Sequence, residues 1–326
     1  MRRVAGILAL LLACVASWLF VVGVGEDGIG FLNDEFFHDL RMDRAATAAI
    51  VGAALALSGM LLQAILRNPL ASPFVLGVTS GAGLGIVVAA YIGYRATGEL
   101  SPGNPSIAGI FVGSFGALGL VLMLSRRRGV LDPPTLLLVG VMISILFGAM
   151  ASLVQSMLKD GGFELQGRWM LGNIDGGEDW IVRWGVGGVV GISLIVVIIL
   201  GTTLDAATLG DDEARSIGAD LGLLRIVVFL IAGVLTSLAV WLAGPIGFIG
   251  LVCPHAARWL VGPKHRVLSI ATVLAGAALL MFAEGIEDVV KTDSGRLPVG
   301  VMTALIGGPV FVIMLRRGAG VGGGST

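Results

Sequence analysis

Charged side chains are scarce in this chain. Only 13% of its 326 residues are Asp, Glu, Lys or Arg, whereas soluble domains carry about 25%. A chain of this length folded in water would need a polar surface that so few charges do not supply. The scarcity excludes an ordinary soluble domain. The net charge of −1 carries no information about nucleic acid, which we do not expect as a partner.

Cysteine and histidine are also rare. Cys14 and Cys253 lie far apart in apolar stretches, as small core residues do, and not in the spacing of a disulfide framework or a metal site. His38, His255 and His265 are scattered along the chain. We therefore expect no metal site on this chain and no histidine cluster for haem.

A nucleotide-binding motif is absent as well. The sequence has no G-x-x-x-x-G-K-[ST], the loop whose backbone cradles the phosphates of ATP. A transport protein with this sequence would therefore need either a separate ATPase subunit or an ion gradient to drive it.

Apolar residues are what the chain has in abundance. They make up 56% of the sequence, and the mean hydropathy is +0.95. They occur in blocks of about 20 residues, the length that crosses a bilayer as a helix. The 51 glycines suit the close approach of helices in a membrane. We predict an all-α polytopic membrane protein with ten spans, at 4–24, 45–66, 74–93, 106–124, 135–157, 182–202, 226–243, 247–260, 267–290 and 299–315.

The basic residues orient these spans. Ten spans place both termini on one side, and that side then holds most of the Lys and Arg residues and few of the acids. Because basic loops stay in the cytoplasm, we expect both termini to be cytoplasmic. Leaving out the short block 247–260 would move Arg316 and Arg317 to the other side. The apolar run from Val4 to Val24 exceeds a usual signal peptide, so we interpret it as an uncleaved first span.

A short polar break, from Arg67 to Pro73, separates the second and third spans. Pro69 and Pro73 end one helix and begin the next. Asn68 can satisfy free backbone groups at such a turn. We therefore predict a tight turn on the cytoplasmic side.

Four long motifs resemble those of one transporter family, in the family's order. The stretch "VGAALALSGMLLQAILRNPLASPFVLGVTSGAGLG" at 51–85 is similar to the signature of FecCD-type permeases, the membrane subunits of ABC importers for iron chelates, haem and cobalamin. Three further segments are similar to the family's periplasmic segment, coupling loop and C-terminal region. They are "WMLGNIDGGEDW" (169–180), "LGDDEARSIGADLGLLR" (209–225), and "LAGPIGFIGLVCPHAARWLVGPKHRVL" (242–268) with "LPVGVMTALIGGPVF" (297–311). The resemblance covers the chain from about residue 41.

The resemblance implies an architecture and a set of partners. It implies one permease domain over residues 1–326, with ten transmembrane helices per subunit in the type II ABC importer fold. Such permeases pair, here as a homodimer, with two ATPase subunits that hold ATP and Mg and with a substrate-binding protein. The chain would then be no enzyme and carry no cofactor. It would lie among the lipids of the bacterial cytoplasmic (inner) membrane and import an iron chelate, most commonly a ferric siderophore, with haem or cobalamin as alternatives.

The resemblance adds a second role to the turn at 67–73. In the family, this loop closes the pathway on the cytoplasmic side, where the loops of two subunits meet. Asn68, Pro69 and Leu70 are thereby implied as gate residues. We expect Arg67 to reach a lipid phosphate, since an unpaired charge inside the pathway would be costly.

The loop at about 203–225 resembles the coupling loop that sits in a cleft of each ATPase subunit. From composition alone it is a solvated surface loop with acids at a helix start. The residues that occupy family positions are Leu209, Gly210, Ala214, Arg215 and Gly218.

The fifth span carries small and polar residues along one helix face. Their four-residue spacing, with Gln155 almost one turn on, supports two interpretations that stay open. One is close helix packing, and the other is the wall of the translocation pathway, which the family builds from this span. The residues are Gly140, Ser144, Gly148, Ser152 and Gln155.

Arg41 and Arg44 share a helix face just before the second span, where long cations often reach the membrane interface. In the family, the arginines of an Arg-x-Pro-Arg motif receive acidic residues of the binding protein, so both are implied in docking. Here the motif reads "RMDR", and Asp43 is expected to neutralise part of their charge.

Glu284 and Asp288 lie on one face of the ninth span. Intramembrane acids are functional candidates, and here they suit a rival class, an ion-coupled secondary transporter with proton sites. The alternatives are an internal ion pair, such as Glu287 with Lys291, or a water-exposed mouth.

Overall fold

The computed structural model shows an all-α chain. It describes all residues except residue 1 and the segments 26–27, 30–34, 99–105, 128–129, 132, 159–169, 175, 177–178, 210–217, 219, 291–296 and 320–326. The helices are α1 Arg2–Gly23, α2 Glu35–Leu66, α3 Val78–Thr97, α4 Ile107–Leu124, α5 Pro133–Ser156, α6 Trp180–Ile199, α7 Gly201–Leu209, α8 Leu221–Ala243, α9 Ile249–Val261, α10 His265–Val289 and α11 Val299–Ala319, with a 3₁₀ turn at Pro73–Leu76. Two-residue strands form antiparallel pairs between β1 Val24–Gly25 and β2 Gly28–Ile29, and between β3 Arg126–Arg127 and β4 Val130–Leu131.

Each predicted span overlaps one of these helices. Among the described residues, seven helices are long and apolar enough to cross a membrane by length and composition, namely α1, α2, α4, α5, α6, α8 and α10. The other three predicted spans correspond to α3, α9 and α11. The all-helical polytopic architecture predicted from the apolar blocks is confirmed.

Two boundaries differ from the predicted spans. Helix α2 begins at Glu35, ten residues before the apolar block 45–66. The charged Arg44 does not end the helix, because it is paired inside the protein. Helix α7 occupies the first part of the predicted coupling loop, and α8 begins at Leu221, so the loop is shorter than 203–225.

Helix α2 lies at the centre of the bundle and is almost fully buried between α8, α9 and α10. Glycines bring these backbones together. A Cβ on Gly52 would overlap the backbone carbonyl of Gly276 on α10, and one on Gly59 would overlap that of Gly250 on α9. The same device joins α3 to α4, where Gly81 and Gly85 face glycines of α4. These contacts fit the close approach of helices that the abundance of glycine indicated.

The bundle has two ends, which we name by their central arginines. At the Arg67 end lie the turn after α2, helix α7 and the start of α10, joined by hydrogen bonds. At the Arg44 end lie the first turns of α2, the last turns of α10 and Gly176. Helix α1 packs along α10, with the rings of Phe20 and Phe282 5.7 Å apart.

Candidate gate, coupling and docking sites

The turn after α2 is built by Asn68. Its side-chain oxygen accepts a hydrogen bond from the Leu70 N–H at 2.9 Å, and its carbonyl accepts one from the Ala71 N–H at 3.0 Å. These two bonds give the tight turn that the prolines predicted. Leu70, in this turn, is 49% exposed, so an apolar side chain lies on the surface of the subunit.

Arg67 begins this turn in the left-handed region, with φ +47°. Its Nε donates a hydrogen bond to the Ala207 carbonyl of α7 at 2.8 Å. The end of α7 thus offers Arg67 an acceptor within the protein. The turn is thereby connected to the segment that precedes the coupling loop. The contact with a lipid phosphate stays a prediction.

Helix α7 is also held by Asp205. The Asp205 Oδ1 accepts the backbone N–H of His265 at 2.9 Å and lies 2.6 Å from His265 Nδ1. His265 is 4% exposed, and it is the first residue of α10. This pair was not predictable, since a scattered His and a loop Asp show no shared spacing in the sequence.

The coupling residues are described only in part. Leu209 ends α7 with 77% of its surface exposed. Gly218 is exposed and has φ +78°, a backbone conformation that favours glycine. Gly210, Ala214 and Arg215 lie outside the described residues. Their assignment to ATPase coupling stays a prediction.

The face of α5 divides into two parts. At its start, Gly140 is buried and packs with Ser144 against Gly77, whose added Cβ would lie 3.5 Å from Ser144 Oγ. Further along, Gly148 and Ser152 are exposed, and nothing lies within 4 Å of a Cβ built on Gly148. Close packing therefore accounts for the first two residues, whereas the pathway role of the exposed pair stays a prediction.

Gln155 ends the α5 face and is only 6% exposed. The two serines of this face donate to the carbonyls of Gly140 and Gly148, one turn before each. Such bonds occupy the hydroxyl hydrogens within the helix. The exposed part of the face consists of uncharged residues, and the hydroxyl hydrogen of Ser152 already has an acceptor.

Arg44 forms a buried ion-pair network with two acids of α10. Its Nε lies 2.7 Å from Glu284 Oε1, and its Nη1 lies 3.1 Å from Asp288 Oδ1. The three side chains are at most 1% exposed. An arginine so placed offers no free guanidinium to an external partner, which corrects the expectation of an exposed docking residue. The internal ion pair that we considered for the acids is present, with Arg44 as the cation; Lys291 lies outside the described residues.

The other charged residues of the "RMDR" motif also have partners within the protein. Arg41 is 9% exposed, and its Nη1 donates to the Val22 carbonyl at 3.4 Å. Asp43 pairs with Arg183 of α6, at 2.6 Å between Oδ1 and Nη2, and so is matched by a cation that we did not single out. Arg183 is 3% exposed in an apolar helix, and its charge there was the available signal.

Gly176 packs directly against this network. Gly176 has φ +71°, and a Cβ there would lie 2.6 Å from Arg44 Cγ. Gly172 has φ +69°, and the N–H of Asn173 donates to the Ala243 carbonyl at 2.9 Å. The segment that resembles a periplasmic motif thus rests directly on Arg44.

These features define a polytopic α-helical permease of the type II ABC importer fold. The model of the FecCD transport family matches residues 4–317, and the chain belongs to that family. The vitamin B12 import system permease protein BtuC of Salmonella typhi is 34% identical over 330 residues, covering 98% of this chain and 97% of that protein. A solved structure of an inward-facing metal-chelate type ABC transporter superposes with a TM-score of 0.82 at 28% identity, covering 97% of this chain and 99% of that one.

Family membership fixes the activity in outline. The chain is a transport permease of an ABC importer for substrates of the metal-chelate or cobalamin type. In these importers, ATP hydrolysis belongs to a separate ATPase subunit. The chain is a multi-span membrane protein, as the apolar blocks predicted.

Proposed function

We propose that the chain imports a ferric siderophore as one half of a permease homodimer in the bacterial cytoplasmic membrane, with both termini in the cytoplasm. The observation that carries this proposal is the exposed, uncharged part of the α5 face, at Gly148 and Ser152. Two copies of this face would form a pathway between them. Small side chains whose hydroxyls are already bonded would let a large chelate pass without binding it tightly.

The remaining partners follow from the two ends of the bundle. In the proposed assembly, each of two ATPase subunits receives a coupling loop at the Arg67 end, and the turn at Asn68, Pro69 and Leu70 closes the pathway there. A substrate-binding protein docks at the Arg44 end. The exposed Leu70 tip supports the gate assignment, because apolar tips of two subunits can close on each other.

Arg44 is buried and cannot contact a binding protein directly, so any role in docking must be indirect. We propose that Arg44 positions residues 172–176 from beneath, since Gly176 rests on its side chain. Arg41 is the other docking candidate. Changing Arg41 to Glu should weaken binding-protein affinity most at low salt, because salt screens charge pairs over about 10 Å. Arg95, exposed in the last turn of α3, provides the matched control as Arg95→Glu; equal affinity for both variants at every salt concentration would reject Arg41.

Cobalamin is the second candidate cargo. The 34% identity to BtuC of Salmonella typhi over nearly the whole chain favours it. Both cargoes are large metal chelates, so the same uncharged face suits either.

Cargo competition separates the two candidates. Cells that depend on this chain for uptake would be given a radiolabelled ferric siderophore with an excess of unlabelled siderophore, cobalamin or haem. We expect only the siderophore to compete. Uptake of labelled cobalamin that a siderophore does not inhibit would reject the first candidate in favour of the second.

A further inference from the structure

Helix α7 is tied to two transmembrane helices at once. The Ala207 carbonyl accepts a hydrogen bond from Arg67 Nε at 2.8 Å, which reaches the turn after α2. The Asp205 carboxylate accepts the N–H of His265 at 2.9 Å, which reaches the first residue of α10. In sequence, α7 ends at Leu209 and is followed directly by the coupling loop, so α7 connects that loop covalently to the residue that contacts Arg67.

The hydrogen bond from Arg67 satisfies a backbone carbonyl at the C-terminal end of α7. Ala207 is among the last four residues of this helix, whose carbonyls have no donor within the helix. A guanidinium is well suited there, because the C-terminal end of a helix carries partial negative charge. The contact therefore depends on where α7 ends and moves with it.

Helix α2 is anchored to α9 about one turn before Arg67. Gln63 donates to the Gly250 carbonyl of α9 at 3.1 Å and accepts from Arg258 Nη1 at 2.7 Å. Gly59 is in backbone contact with the same Gly250. Because α2 is anchored to α9, a pull on Arg67 acts on the turn that follows and not on the helix.

The contact between Asp205 and His265 fixes the middle of α7 to the start of α10. Asp205 places a carboxylate at the N-terminus of α10, where the helix dipole favours negative charge. Gly201, at the start of α7, is so close to the Arg266 side chain that a Cβ would overlap Arg266 Cγ. The start and middle of α7 are thus held at α10, whereas its last turn contacts the turn after α2.

From these contacts we infer that Arg67 is a positioning residue that transmits movement of the coupling loop, through α7, to the turn at Asn68–Leu70. The inference rests on the proposed function, in which the loop contacts an ATPase and the turn closes the pathway. Arg67 contacts neither cargo nor nucleotide in this account. Its loss should leave ATP hydrolysis in place and separate it from transport.

The test uses the complete complex of permease, ATPase and binding protein in proteoliposomes. Arg67→Asn removes the guanidinium and keeps a residue that tolerates the left-handed backbone at this position, and Arg67→Gly does the same with no side chain. The control is Arg126→Asn, at an exposed arginine of β3. A Leu70→Cys reporter, with Cys14 and Cys253 changed to Ala, gives the crosslinking yield across the dimer with and without nucleotide.

We expect both Arg67 variants to assemble and hydrolyse ATP like the unsubstituted complex. Uptake per ATP should fall about tenfold, as for the loss of one hydrogen bond from a charged donor, and the crosslinking yield should stop responding to nucleotide. The Arg126→Asn complex should behave as the unsubstituted one.

Two results would overturn the inference alone. One is coupled uptake and a nucleotide-dependent crosslink in Arg67→Asn and Arg67→Gly. The other is failure of both variants to assemble, which would give Arg67 a structural role only. An unsubstituted complex without ATP-driven uptake would instead overturn the proposed function, and this inference with it.

Discussion

Arg44 on α2 and Glu284 on α10 stand 240 residues apart in sequence and meet as a buried ion pair, with 2.7 Å between Nε and Oε1. Asp288 shares the same guanidinium. The pair joins two helices that are in extensive contact at the centre of the bundle. It gives Glu284 and Asp288 a structural reason to lie in a membrane helix.

Breaking this network should destabilise the fold. Arg44→Met should lower the free energy of unfolding by about 3–5 kcal/mol, because it leaves buried carboxylates without their cation. Thermal unfolding of the purified permease in detergent measures the effect. Arg126→Met, at an exposed arginine, should change stability by less than about 0.5 kcal/mol, and equal melting temperatures for the two variants would count against the buried network.

Adding one methyl group at the contact between α3 and α4 should destabilise the permease. In Gly85→Ala the new Cβ would overlap the Gly109 carbonyl, so we expect a loss of about 1–3 kcal/mol from overpacking. Gly93→Ala, on the same helix with open space around it, is the control and should be neutral or slightly stabilising. Unfolding in detergent compares the two; a Gly85→Ala protein as stable as Gly93→Ala would show that these helices do not pack as closely as described.

The coupling loop should tolerate no bulk at Gly218. Its φ of +78° disfavours side chains by about 1–2 kcal/mol, so Gly218→Leu should distort the loop. Arg215→Glu should act in the same direction through charge, with Arg215→Lys as the conservative control. Both changes should abolish transport while the permease stays folded in the membrane; full ATP-dependent transport in Gly218→Leu and Arg215→Glu would remove the loop from the coupling mechanism.

The gate assignment predicts proximity between two copies of Leu70. A Leu70→Cys permease without Cys14 and Cys253 should crosslink across the dimer in the closed state, and less so when nucleotide or binding protein opens the gate. Cysteine at Arg126, also exposed, provides a control position. A Leu70→Cys pair that crosslinks in no state would leave residues 67–73 as a turn and nothing more.

The spans were predictable because each is an apolar block, and the turn at Pro69 was predictable because proline ends helices. The start of α2 was not, since residues 35–44 carry charges that resemble a loop until Arg44 is seen to pair with α10. The contact between Arg67 and Ala207 was also beyond the sequence, because a backbone carbonyl has no signature in the residue that bears it. In a soluble protein a run of charged residues usually indicates an exposed segment, but in this membrane protein such residues can be buried. Only the tertiary contacts show which buried charge has a partner.

ATP-driven uptake by the purified complex tests the central claim most directly. The permease, its ATPase and its binding protein would be placed in proteoliposomes with equal ion concentrations on both sides, and labelled ferric siderophore uptake would be followed with ATP enclosed. We predict uptake that needs both ATP hydrolysis and the binding protein, and that is unaffected by collapsing a proton gradient. Uptake that follows an imposed proton gradient without ATP would contradict the account and support an ion-coupled transporter.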